Sequence, residues 1–545
     1  MDTKDIVALT ILFLAGFYLY ALPLAESQFP FGEGDAAHKY GLADWMYDAD
    51  KAPRDMPFFY AVWYPQGADF YRPPNPAPYF INIVATRLAG GGDRFTAANL
   101  FLAISAYFAV FSVYFLMRKF YGFWTALLSS LLLLFPLNSV MAYLWGQRPH
   151  LIALAYAPLI FYCFHRYCSS ILDNRPRPIY LILAALLSVG AAVMYLQVIG
   201  FIFVFFVLYI IVLMVQTRKL PLKLKHLLLP PVVFVLLAGP FIPDVLSQQQ
   251  GKIHIQLQNL NHLFHWFKPE ADVPNPFLYD YKTINGGWWT LPFLLLGIAF
   301  LLFRHRREDI VFLAWLAALY IMLHLDVFNL FDQGRTARLF LGTAQIFYAI
   351  AAFGFLAILS FISLGKQQKA VARYALVAVF IVLALVFNAP PAVSSIKEAY
   401  QPLMRMTPYQ FEAAQWLENN IPDNSLVYMR GSLTYAKARW IHMFSHKPVM
   451  PGNSREVQTL EEEIRLFKET EDNVKSFPSV SYISYLVFDY SDYSILRDNA
   501  GNNQMLKQQA NQEIENINKL ESYLTRNATP IYDRNFIKVY KLGNS

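Results

Sequence analysis

A run of about twenty apolar residues recurs along this chain, most of the runs set apart by polar stretches of varied length. A helix of that length rises about 1.5 Å per residue and crosses a hydrocarbon core of about 30 Å. The runs fall at 6–24, 97–117, 122–143, 150–164, 178–197, 198–216, 226–246, 288–303, 310–325, 339–364 and 371–388. Of the 545 residues, 56% are hydrophobic and 15% charged, too few charges to cover the core of a soluble protein this long. A polytopic α-helical membrane protein with about eleven transmembrane helices is therefore expected.

Basic residues check that count. Lys4, Arg118/Lys119, Arg166/Arg175/Arg177, Arg218/Lys219/Lys223/Lys225, Arg304/Arg306/Arg307 and Lys366/Lys369/Arg373 fall on alternate connections. The positive-inside rule puts those connections in the cytoplasm. The N-terminus is then inside, and the loops 25–96 and 247–287 and everything after 388 are outside. The formal charge of +7 is dispersed among these connections, which leaves no basic face for nucleic acid. The first run is read as a retained helix, because its leading MDTKD carries more acid than base.

From Ala389 the composition turns to Asn, Glu, Lys and Tyr, so 1–388 is read as the membrane domain and 389–545 as a soluble α/β domain outside the membrane. Thr407-Pro408 opens a capped helix over 409–419, and 425–429 and 480–489 read as strands. A polar amphipathic helix over 503–524 and a closing hairpin over 530–542 complete it.

Candidate chemistry gathers at the outer level. Residues 31–47 read FGEGDAAHKYGLADWMY, with Glu33, Asp35 and His38 beside the expected membrane surface. Gly32 and Gly34 let the chain turn, and a short interfacial helix is expected from Ala36. His38 follows Asp35 by one helical turn. A carboxylate here is either a solvated loop charge or a general base whose pKa is raised by the nearby low dielectric. Asp69 and Arg72 lie in a stiff Pro- and aromatic-rich loop, and Asp280 is a further external acid. Arg335 and Arg338, three apart at a helix start, either grip a phosphate or snorkel to the interface, and the same choice applies to Arg148. His254, His262 and His265 fit an interfacial helix better than a metal site. Cys163 and Cys168 read as packing residues. No GxxxxGK[ST], GxGxxG or HExxH motif is present, so nucleotide hydrolysis and zinc proteolysis have no support.

Several stretches carry a family likeness. The first helix, GEGDAAH at 32–38, WYPQGADFYRPPNPAPYF at 63–80 and WGQRPHLIALAYAPL at 145–159 resemble the bacterial and archaeal 6-pyruvoyl-tetrahydropterin-synthase-related membrane proteins. That group in turn resembles the GT-C glycosyltransferases, and TPYQFEAAQWLENNIPDNSLVYMRG at 407–431 is similar to the start of the soluble lobe in archaeal GT-C proteins.

The resemblance implies a GT-C-like fold and transfer of a sugar from a polyprenyl-phosphate donor. It implies Asp35 as the catalytic acid residue with Glu33 and His38 beside it. Arg335, Arg338 and Arg148 would hold the donor phosphate, and Asp69, Arg72 and Asp280 would face acceptor or sugar. The acceptor would be a lipid, glycan or protein outside the cytoplasmic membrane of a prokaryote. WWDYG, a motif of the oligosaccharyltransferase branch, is missing from 389–545, and Gly-Gln-Arg-Pro-His replaces its second acidic motif. A divalent metal is thus unsupported, and no cofactor is expected. The alternative is a non-catalytic membrane assembly protein or a transporter. Against a transporter stand the few ionisable residues at mid-membrane and the lack of a half-to-half repeat.

Overall fold

In the computed structural model, every one of the apolar runs contains helix. The structure describes residues 2–26, 29, 31–32, 34–49, 77–195, 197–238, 281–323, 337–360, 366–398, 406–423, 425–430, 435–451, 461–462, 464–465, 467–469, 483–501, 503–526 and 528–542. Helix α1 (Thr3–Glu26) is the first run, and α2 (Gly34–Ala49) and α3 (Ala77–Ala89) belong to the long first loop. Next come α4 (Thr96–Ala106), α5 (Phe108–Phe120), α6 (Phe123–Leu132), α7 (Leu137–Leu144), α8 (Arg148–Ala155) and α9 (Ala157–Leu172). The membrane part continues with α10 (Ile179–Met194), α11 (Gln197–Thr217), α12 (Leu229–Ala238) and α13 (Leu291–Arg304). It closes with α14 (Arg307–Leu323), α15 (Thr343–Ala357), α16 (Lys366–Phe387) and α17 (Ala389–Glu398).

Among the described residues, six helices are long and apolar enough to cross a membrane, or up to seven if the bent pair α6–α7 is one span. That pair turns by 49° where Pro136, which has no N–H to continue the hydrogen-bond ladder, precedes α7. The runs at 178–197, 226–246 and 288–303 hold shorter apolar helices, and α14 carries Glu308 and Asp309 in its first turn. Large side chains such as Phe303 (86% exposed) and Val215 (76%) stand on the outer surface, where lipid removes the cost of exposing them to water. Between α13 and α15 small residues let backbones touch: a Cβ on Gly354 would lie 2.1 Å from the Phe293 carbonyl oxygen, and one on Gly297 2.4 Å from that of Ile350.

Connections of like expected side meet each other. Arg118 Nε donates to Asp5 Oδ1 at 2.7 Å and Arg307 Nη1 to Asp173 Oδ1 at 2.8 Å, both joining connections expected inside. At the other end, Asn388 Nδ2 donates to the Asn285 carbonyl at 2.9 Å. The helical run does not stop at Asn388. Helix α17 buries Ala392 and Ile396 and packs against α1 and α7, so residues 389–398 keep company with the membrane helices.

Beyond Met406 lies an α/β lobe. Helix α18 (Pro408–Asn420) starts with a capping box, in which the Thr407 hydroxyl accepts from the Gln410 N–H and the Gln410 side chain accepts from the Thr407 N–H. Strand β1 (Leu426–Arg430), helix α19 (Tyr435–Ser445), strand β2 (Val449–Pro451) and strand β3 (Ile483–Asp489) follow. Helices α20 (Ser491–Asn499) and α21 (Gln504–Thr525) precede the hairpin of β4 (Tyr532–Arg534) and β5 (Ile537–Lys541). The sheet order is β2-β1-β3-β5-β4, with β1 parallel to β2 and β3 and with β5 antiparallel to β3 and β4.

Alternation along the strands makes two cores. Val427, Met429, Tyr485 and Val487 face α18 and α19, whereas Leu426, Tyr428, Leu486 and Phe488 join Ile517 and Leu520 of α21. The first of these cores runs without a break into the membrane part. Lobe and helices are packed as one body at this seam.

Candidate active site

Asp35 and His38 are placed by their backbone on the first and second turns of α2. This helix begins at Gly34, two residues before the expected start, and runs to Ala49. What holds its beginning is a set of contacts from segments far along the chain. Gly32 has φ +120° and Gly146 has φ +82°, backbone states that favour glycine. A Cβ on Gly146 would stand 2.5 Å from the Ala36 nitrogen, and one on Gly32 would stand 2.6 Å from the Ala36 Cβ. The turn at 145–148 is therefore a seat for the first turn of α2.

Two cations close that seat. Lys39 Nζ donates to the Gly146 carbonyl at 3.0 Å. Arg148, only 3% exposed, donates from Nε to the Tyr143 carbonyl at 3.2 Å and from Nη2 to the Phe31 carbonyl at 3.3 Å. Its guanidinium carbon lies 4.9 Å from the Phe31 ring centroid and 5.0 Å from that of Tyr143. The two described donors of Arg148 thus face backbone carbonyls of the seat and of the strand entering it. From the lobe side, Trp440 Nε1 donates to the Gly32 carbonyl at 3.1 Å.

Asp44, on the same helix, is the acid that the sequence reading did not single out. Its side chain is 1% exposed and is held by two arginines from the second half of the loop. Arg94 donates to Asp44 Oδ2 from Nε at 3.1 Å and from Nη2 at 2.6 Å, and Arg87 Nη1 pairs with Oδ1. Arg87 also lies 3.7 Å from the Tyr47 ring centroid and reaches Asp48 at 3.4 Å. Position 44 is about half a turn round the helix from position 35, at 3.6 residues per turn. A lone acid in GLADWM was a readable signal, since a carboxylate among apolar neighbours needs partners.

Arg94 continues into the lobe. Its guanidinium lies 5.2 Å from the Phe411 ring and 5.1 Å from the Phe444 ring, while Phe95 packs edge-on against both at 5.3 and 5.9 Å. Asp93 caps α4 by accepting from the Phe95 and Thr96 N–H groups at 3.0 and 3.2 Å, and the first of these bonds does most to hold its carboxyl below the usual range.

Arg338 has its backbone in the 3₁₀ turn Ala337–Gly342 that precedes α15. This turn packs on α8 through Gly342, whose added Cβ would meet Leu154 at 3.3 Å, and the Phe340 carbonyl accepts from Asn138 Nδ2 at 3.2 Å. The turn bearing Arg338 and the residue holding Phe31 thus belong to one packed unit, since Arg148 opens α8. Glu33, Asp69, Arg72, Asp280, Arg335 and the histidines at 254, 262 and 265 lie outside the described residues. Among the described residues no group of three or more His, Cys, Asp or Glu side chains is arranged to hold a metal ion.

No family model matches the sequence, so the expected tie to the pterin-synthase-related membrane proteins is not shown, and no curated protein matches it. Solved structures do. ArnT from Cupriavidus metallidurans in the apo state is 11% identical, covering 91% of this chain and 94% of its own, with a TM-score of 0.54. The same protein bound to undecaprenyl phosphate gives 10% identity over the same shares and a TM-score of 0.53. The arabinofuranosyltransferase AftD from mycobacteria is 14% identical with a TM-score of 0.52 over 88% of this chain, which spans only 35% of AftD. The chain has the fold of the GT-C membrane glycosyltransferases.

Proposed function

We propose that this protein is a membrane glycosyltransferase that moves a sugar from a polyprenyl-phosphate donor to an acceptor outside the cytoplasmic membrane of a prokaryote. The observation that carries this is the seat at the start of α2, which fixes the backbone bearing Asp35 from both the membrane part and the lobe. Catalysis by a general base needs its carrier held in place, and these contacts from both sides support that role for the start of α2. A fold shared with ArnT, solved with undecaprenyl phosphate, supports a polyprenyl-phosphate donor.

The acceptor hydroxyl gives its proton to the Asp35 carboxylate as its oxygen attacks the anomeric carbon. The bond from that carbon to the donor phosphate oxygen breaks, and the phosphate leaves with the electron pair. One in-line displacement inverts the anomeric centre. Arg335 and Arg338 offset the charge growing on the leaving phosphate. Glu33 and His38 assist Asp35, and Asp69, Arg72 and Asp280 face the sugar or the acceptor, which is a lipid, glycan or protein.

The N-terminus lies in the cytoplasm and the lobe outside, as the alternating basic connections require. The transporter or assembly-protein alternative gains nothing from the fold. The test is Asp35→Asn in purified protein in nanodiscs, supplied with a radiolabelled polyprenyl-phosphate sugar and cell-envelope acceptors. Folding and insertion persist and transfer is lost. Transfer at the wild-type rate by this variant removes Asp35 from the mechanism.

A further inference from the structure

The lobe reaches the segment just before α2 through a polar group, the indole N–H of Trp440. Trp440 is 1% exposed and its donor lies 3.1 Å from the Gly32 carbonyl, in a seam closed to water. A hydrogen bond in such surroundings is stronger than in water, and neither group has solvent to turn to if it is broken. Gly32, with a φ of +120°, stands two residues before Gly34, where α2 begins. The bond therefore ties the lobe to the backbone just before α2.

The donor is itself held firmly. Trp440 stacks on Phe444 at 5.9 Å and 12°, and Tyr40 of α2 packs edge-on to Trp440 at 6.2 Å. One turn along α19, Met443 touches Gly41 so closely that a Cβ on the glycine would stand 2.3 Å from the Met443 Cβ. On the lobe side, Lys437 of α19 pairs with Asp492 at 3.1 Å, both side chains 0% exposed. Gln410 Nε2 ties the same carboxylate and that of Asp489 to α18, at 3.2 and 2.7 Å. An unbroken set of buried contacts thus runs from the end of β3 through α19 to Gly32.

We infer that Trp440 is a positioning residue for the transfer reaction, so that the C-terminal lobe helps set the geometry of the active site. This rests on the transferase reading above. Trp440 touches neither donor nor acceptor in this role; it acts through the backbone at Gly32 on the turn that carries Asp35.

Trp440→Phe keeps a ring in the seam and removes the donor together with part of the indole's volume. With a polyprenyl-phosphate sugar as probe, kcat falls about tenfold, the worth of one ordinary hydrogen bond, while donor KM changes by less than about twofold. Amide hydrogen exchange rises in the first two turns of α2 and stays at the wild-type level in α19. Gly41→Ala serves as the contrast: it forces α19 off α2, so exchange rises in both helices. Trp440→Phe with wild-type kcat and wild-type exchange in α2 overturns the inference. So does a Trp440→Phe profile equal to that of Gly41→Ala, which makes the side chain packing alone. If the wild-type protein transfers no sugar, the transferase reading fails, and exchange in α2 by itself decides whether Trp440 sets this turn.

Discussion

Gly146 stands so close to Ala36 that a Cβ built on it would lie 2.5 Å from the Ala36 nitrogen, although a hundred-odd residues of chain separate the two. Two motifs that look independent in the sequence, GEGDAAH and WGQRPH, are two halves of one backbone contact. Gly146→Ala has nowhere to put its methyl group, because the obstacle is backbone. Gly122→Ala meets nothing within 4 Å at a similarly positive φ of +96°, so it isolates the backbone strain alone. Thermal unfolding in detergent should show a loss of about 1 kcal/mol for Gly122→Ala and roughly 2–4 kcal/mol for Gly146→Ala, with transfer lost only in the latter. Equal losses in the two variants would remove the close approach as the cause.

Asp44 and Asp35 share a helix, and their substitution should have opposite consequences. Asp44→Ala leaves Arg87 and Arg94 without their buried counter-charge and costs about 3–5 kcal/mol. Because Arg94 also lies against Phe411 and Phe444, the same variant should expose the lobe to protease. Asp35→Asn should change stability by less than about 0.5 kcal/mol while abolishing transfer. Unfolding curves for the two variants, side by side, check this. A stable Asp44→Ala protein would mean that the ion pairs do not hold α2.

Arg148 separates two roles kinetically. Holding the Phe31 carbonyl predicts that Arg148→Gln lowers kcat about tenfold with donor KM within about twofold. Contact with the donor phosphate predicts a rise in KM instead. Steady-state kinetics over a range of donor concentrations reads the difference directly, with Arg338→Gln as the companion expected to raise KM.

Acid should weaken the lobe through His442. Burial pushes its imidazole down to about 3, and the charges of Arg439 and His446 act in the same direction. Its Nδ1 lies 2.7 Å from the Lys447 carbonyl. An unfolded histidine takes up a proton below about pH 6.5, whereas the folded one does so only near pH 3. The unfolded state therefore binds more protons across that window, so stability is present above about pH 6.5 and is lost as the pH falls toward 3. The full loss is on the order of 5 kcal/mol at about 1.36 kcal/mol per unit. Denaturant midpoints taken from pH 7 to pH 4 should fall steeply for the wild-type protein and less steeply for His442→Gln. Parallel curves would assign the acid limb to other groups.

Much of this architecture follows from local patterning. Apolar runs, a proline before α7, a capping box at Thr407 and Gln410, and the short apolar stretches of β1 and β3 are each set by neighbours within a few residues. These are visible in one dimension, so helix positions, the basic connections and the α/β character of the lobe could be read from the chain alone. Helix ends follow less directly: α2 begins earlier than expected because Gly34 and Asp35 suit a first turn, where free N–H groups and the dipole favour an acid.

Only the tertiary structure decided which of these polar groups meet. The acid in GLADWM needs partners, but only the packed structure puts Arg87 and Arg94 around Asp44, and only there are the Arg148 donors seen on the Tyr143 and Phe31 carbonyls. Trp440 carries no signal in the sequence at all, since nothing local distinguishes a core tryptophan from one whose N–H fixes a carbonyl 408 positions away. The physical reason is common to all three. Helix formation is governed by contacts three and four residues apart, whereas a buried polar group chooses its partner by distances that exist only once remote segments have packed. The start of α2 is therefore readable from the chain as a candidate site, but the contacts that pack it are decided by the fold.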